Sequence, residues 1–176
     1  SGAPRRWSPP GRDDGAMATI VMVHGAFNEL WGPNELHHRW LPALRDGLWH
    51  AGAEVDADDV DVCFYGDLFR RDPESPDQPD EATRAGVADV LQETLGDGGI
   101  AALGQAAGKA TFDRTVDLVV TMTTQADLRD RVQARLREVV GPDTRILIAH
   151  SLGTVIAYQV LCTRPDLQLD LITLGS

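Results

Sequence analysis

The sequence predicts an α/β fold, an open, doubly wound and mostly parallel sheet with a helical insertion at about 66–124. Two observations carry that expectation. Short apolar, β-branched runs recur along the chain, each bounded by Gly, Pro or Asp, and segments of helical periodicity alternate with them. Length fits one core: a chain of 176 residues buries about 70% of its unfolded surface and needs no disulfide or metal to hold it together.

Residues 1–16 (SGAPRRWSPPGRDDGA) are rich in Pro, Gly and charge and lack the apolar centre of a signal peptide. They read as a flexible tail, with Met17 as the native start. The first strand is Ala18–His24 (ATIVMVH). A helix over Asn34–Ala51 follows, with Leu36, Trp40, Leu44 and Leu48 on one stripe. The second strand is Val60–Tyr65 (VDVCFY). Residues 66–124 interrupt the alternation with an acidic, Pro-rich stretch (Asp72–Glu81), a helix with Val87, Val90 and Leu91 on one face, and the Gly- and Ala-rich Gly96–Lys109. Nearly sixty residues exceed a plain crossover, and a cap or lid is the functional expectation. Gln125–Val140 returns to helix, repeating Leu128, Val132, Leu136 and Val139. Arg145–His150 (RILIAH) is the third strand, Leu152–Thr163 the helix after it and Leu169–Leu174 the fourth strand. Met17–Ser176 thus form one core, expected to be incomplete at its C-terminal end. A natural domain rarely stops on a buried strand that lacks a covering helix.

Charge and composition exclude several classes. Net charge is −11, with fifteen arginines and one lysine, and an acidic surface repels phosphate backbones, which argues against nucleic-acid binding. No apolar run approaches the ~20 residues of a membrane span, so no integral membrane association is expected and the predicted compartment is the cytoplasm. Cys63 and Cys162 have no metal-ligand spacing and read as two free, buried thiols.

The chemistry is concentrated at Ala149-His150-Ser151-Leu152-Gly153. An apolar strand precedes Ser151 and an apolar helix follows it, with small residues two positions to either side. That context predicts a tight strand-to-helix turn, its serine held in a strained backbone conformation with the hydroxyl lifted above the sheet. The helix N-terminus then faces the hydroxyl, and the Leu152 N–H is placed to bind a developing oxyanion. A capping serine at an ordinary helix start is the competing explanation. The second piece is Val23-His24-Gly25-Ala26-Phe27 at the end of the first strand. Gly25 lets the backbone approach, with Ala26 or Phe27 N–H as the second oxyanion donor. His24 and His150 are expected to support the site structurally, His150 with its side chain directed away from Ser151.

On these residues the chain resembles the α/β-hydrolase superfamily, in its lipase- and esterase-like branch. VMVHGAF looks like the strand and oxyanion loop of that family, and ILIAHSLGTVIAY like its nucleophile elbow. The resemblance implies the strand order second, first, third, fourth, with the site at the switch point between the first and third. It implies a serine hydrolase that cleaves a carboxylic ester through an acyl-serine at Ser151, acting on a small-molecule or lipid-like acyl substrate without metal or organic cofactor. The family order is Ser, then acid, then His, yet no histidine follows Ser151 here. The base and its orienting acid are therefore expected outside this chain, from a C-terminal fragment or a second chain, and the chain alone is expected to be inactive. A catalytically incomplete, hydrolase-like binding module is the alternative.

Overall fold

The computed structural model describes residues 17–26, 28, 30–69, 81–90, 92–93 and 109–175. Up to Asp67 and again from Val132 these belong to one compact unit, and those between Leu68 and Arg131 belong to a second.

The first unit is built on four parallel strands, β1 (Ile20–Val23), β2 (Val60–Cys63), β3 (Ile146–His150) and β4 (Asp170–Leu174), in the order β2-β1-β3-β4. This is the parallel sheet and strand order expected from the sequence. Register aligns Ile20 with Val60 and Ile146, and Ile146 with Asp170. Strand alternation splits the apolar residues between two faces. Ile20, Met22, Val60 and Val62 pack with Leu36 and Leu41 of α1 (Pro33–His50). The intervening Val21, Val23, Leu147 and Ala149 are fully buried.

Helix α1 starts where Pro33 contributes a fixed φ at a position that needs no N–H partner. It ends where Gly52, at φ +74°, turns the chain so that the Ala53 N–H reaches the Leu48 carbonyl. Its buried face differs from the expected stripe: Leu36, His37 and Leu41 are buried, whereas Trp40 and Leu44 are only partly covered. The His37 ring donates from Nε2 to the Val60 carbonyl at 3.2 Å and so ties the helix to β2.

In the second unit residues 81–90 form α2, followed by α3 (Lys109–Thr124). Sequence periodicity did not mark α3, whose last turns are rich in β-branched residues of modest helix propensity. The hydroxyls of Thr121, Thr123 and Thr124 donate back to carbonyls three or four residues earlier. Arg84 pairs with Asp117 at 2.9 Å. The Arg129 guanidinium caps the end of α3 by donating to the Met122 and Thr123 carbonyls, each at 3.2 Å.

Helix α4 (Ala126–Val139) buries the stripe read from sequence, Leu128, Val132, Leu136 and Val139. Thr144, in the turn before β3, is buried. Its hydroxyl donates to the Ala18 carbonyl at 3.0 Å and accepts the Gly141 N–H at 3.1 Å. Helix α5 (Leu152–Leu161) buries Gly153, Ile156, Ala157 and Val160.

Two expectations need correction. Cys162 is exposed, not buried; it lies two residues, about 200°, around the helix from buried Val160. Strand β4 is also mostly exposed, with Ile172 at 45% and Leu174 at 46%. A continuous apolar run specifies a strand but not the elements that cover it. Among the described residues no helix is long and apolar enough to cross a membrane. The tail at 1–16 and the Gly/Ala-rich segment at 96–108 lie outside the described residues.

Candidate active site

At the switch point between β1 and β3, the carboxyl ends of the two central strands place His24-Gly25 beside His150-Ser151. Ser151 joins β3 to α5 at φ 50° and ψ −122°. Among the described residues it is the one non-glycine with positive φ, and L-residues hold such a conformation only when the surroundings impose it. Those surroundings are visible. The Ser151 N–H donates to the Leu174 carbonyl at 2.9 Å, and its own carbonyl accepts the Thr154 N–H at 2.8 Å. Although Ser151 occupies the N-cap position, its side chain makes no capping hydrogen bond. A serine selected as a helix cap would use its hydroxyl for that bond, so the capping explanation loses its support.

Glycines at two positions allow the turn to close. A β-carbon on Gly25 would sit 2.7 Å from the His150 carbonyl oxygen and 2.8 Å from the Ser151 β-carbon. A β-carbon on Gly153 would sit 2.6 Å from the His24 carbonyl oxygen and 2.7 Å from that of Val23. The loop after β1 and the turn after β3 are therefore in backbone contact. Ala149, also small, is fully buried.

Leu152 is the first residue of α5, so its N–H is among those without a partner inside the helix. Ala26 is buried next to Gly25, and Phe27 falls outside the described residues. No hydrogen bond to the Ser151 hydroxyl is found among the described residues.

The two flanking histidines differ. His24 is fully buried. Its Nδ1 lies 2.9 Å from the Gly25 carbonyl, its Nε2 accepts the Tyr65 N–H at 3.2 Å, and its ring stacks on Tyr65 with centroids 3.9 Å apart. Burial pushes its pKa down to about 4, against the opposing pull of the Gly25 carbonyl and Asp67, so the ring is neutral at physiological pH. His150 is half-buried and lowered for the same reason. Its Nδ1 is enclosed and has no hydrogen-bond partner among the described residues. The His150 ring meets Trp40 edge-on at 6.3 Å and lines a cavity of about 440 Å³ with Asn28, Trp40, Leu44 and Leu174.

The sequence did not single out Tyr65 or Asn28. Tyr65 reaches His24 across 41 residues, and nothing in the local pattern of VDVCFY marks that contact. Asn28 sits two residues beyond Ala26 in the loop after β1, where a polar side chain was the available signal. Its amide donates weakly to the carbonyls of Gly25 and Ala26, at 3.5 and 3.4 Å. The other histidines are elsewhere: His37 is bound to Val60, while His38 and His50 are exposed on α1. Cys63 is buried and its thiol pushed far up by desolvation, which leaves it unreactive. No group of three or more metal-ligating side chains suited to an ion is found among the described residues.

The fold and site thus define an α/β domain with a strained serine between a central strand and a helix. No protein-family model, no curated protein and no solved structure matches the chain.

Proposed function

We propose that the protein is a serine hydrolase of the α/β-hydrolase type, cleaving a carboxylic ester through an acyl-serine at Ser151. The observation that carries this reading is the Ser151 backbone, at φ 50° in a strand-to-helix turn with its hydroxyl unused as a cap. Strain of this kind costs about 1–3 kcal/mol, and such conformations cluster at functional sites. The close approach of the loop after β1 to this turn, where a β-carbon on Gly25 or Gly153 would collide with main-chain atoms, supports assigning the second oxyanion donor to that loop.

In the proposed reaction the Ser151 oxygen attacks the ester carbonyl carbon while its proton passes to a base. The Leu152 N–H and the N–H of Ala26 or Phe27 hold the oxyanion. The alcohol leaves with the proton, and water then releases the acid and restores the hydroxyl. The base and its orienting acid come from outside these 176 residues. The substrate is a small-molecule or lipid-like acyl compound. Neither a metal nor an organic cofactor enters the scheme.

A hydrolase-like binding module is the second reading, favoured by the exposed apolar side chains of β4. The two separate by reaction of the natural-length protein with p-nitrophenyl butyrate, followed by intact mass. The hydrolase reading expects p-nitrophenol release and a butyryl adduct absent from Ser151→Ala. Equal release by wild type and Ser151→Ala would leave only the binding module.

A further inference from the structure

Something must hold the loop after β1 in one conformation if its backbone is to meet an oxyanion. The hydrogen bonds of His24 show what does. A main-chain N–H can only donate, so the Tyr65 N–H at 3.2 Å requires a lone pair on His24 Nε2. A neutral imidazole then carries its proton on Nδ1, which donates to the Gly25 carbonyl at 2.9 Å. The Tyr65 hydroxyl completes the arrangement by donating to the His24 carbonyl, and its ring lies flat on the imidazole, 15° from parallel. Across a planar trans peptide the carbonyl and the next N–H point in opposite directions. A Gly25 carbonyl held against the imidazole therefore turns the Ala26 N–H away from it.

We propose that Tyr65 and His24 are positioning residues for this reaction: the Tyr65 main-chain N–H selects the Nδ1–H tautomer of His24, the Tyr65 hydroxyl fixes the His24 carbonyl, and the two together hold the Gly25–Ala26 peptide with its N–H presented to the oxyanion. This rests on the serine-hydrolase reading. It assigns a role to a tyrosine that belongs to no catalytic motif and touches no reacting atom. Protonation of His24 would set a second N–H against that of Tyr65, which agrees with the lowered pKa of the ring. The charged or titratable groups that act on it are Asp67, which opposes the lowering and is paired with Arg135 at 2.8 Å, and His150, which adds to it.

Two measurements on the natural-length protein test the proposal. Nitrogen-15 NMR of the wild-type imidazoles should show His24 as the Nδ1–H tautomer, neutral from pH 8 down to pH 5. An Nε2–H tautomer, or titration near the ordinary value of 6.5, overturns it. Tyr65→Phe keeps the ring stack and the main-chain N–H and removes the hydroxyl that donates to the His24 carbonyl. Its limiting rate of inactivation by a fluorophosphonate should fall about fivefold to tenfold, the scale of one lost hydrogen bond, with the half-saturating probe concentration unchanged. Tyr65→Phe reacting as fast as wild type overturns the proposal alone. Failure of wild type itself to react overturns the serine-hydrolase reading and the proposal together.

Discussion

Replacing Ser151 by glycine should stabilise the protein relative to replacing it by alanine. Both changes remove the hydroxyl, so their difference isolates the backbone. At φ 50° and ψ −122° a β-carbon is strained by about 2 kcal/mol, the middle of the range for such conformations. Glycine reaches the same angles freely but gains more entropy on unfolding, which favours alanine by about 0.7 kcal/mol. The lost contacts of a half-buried β-carbon take back a few tenths more. The balance favours glycine by about 1 kcal/mol, or about 2–4 °C in melting temperature for a chain of this size. Urea and thermal denaturation of the two variants read it directly. An alanine variant as stable as the glycine variant, or more so, would show that Ser151 is not strained. That result would remove the main support for the elbow.

Other expectations follow from the same contacts. Gly153→Ala places a β-carbon 2.6 Å from a main-chain oxygen of His24. Strand and helix must part, at a cost of about 1–3 kcal/mol measured by urea unfolding, with a larger proportional loss of reactivity at Ser151. Stability should also depend on pH through His24. Its folded pKa of about 4 lies below the unfolded 6.5, so the unfolded chain binds more protons between these values. The contribution, about 3 kcal/mol, is fully present above pH 6.5 and is lost as pH falls towards 4. Urea midpoints across that window should fall more steeply for wild type than for His24→Asn, and equal slopes would contradict the assignment. Thr144→Val strands the Ala18 carbonyl and the Gly141 N–H and should cost about 1–3 kcal/mol in the same assay.

The elements legible in the sequence are those whose burial follows a local period. Strands β1 to β4 match their apolar runs within two residues at each end. Helix α4 buries Leu128, Val132, Leu136 and Val139 as its spacing requires. The strained strand-to-helix turn at Ser151 was legible because small residues flank Ser151 at the junction of two apolar elements, and its geometry depends on those same residues. Helix α3 was not legible, because Thr and Val side chains give a weak helical signal that neighbouring packing overrides. The exposure of β4 and of Cys162 depends on which elements lie alongside, and strand hydrophobicity does not encode that. Tyr65 escaped notice for the same reason: its partner His24 is 41 residues away, and only the sheet order brings β1 and β2 together.

Nucleophilicity of Ser151 is most directly measured by treating the natural-length protein with a fluorophosphonate and mapping the adduct by peptide mass spectrometry. The expected result is one phosphonyl group per chain, on the peptide containing Ser151, and no adduct in Ser151→Ala. An unlabelled wild type, or an adduct on any other residue that persists in Ser151→Ala, would contradict the assignment of Ser151 as the nucleophile.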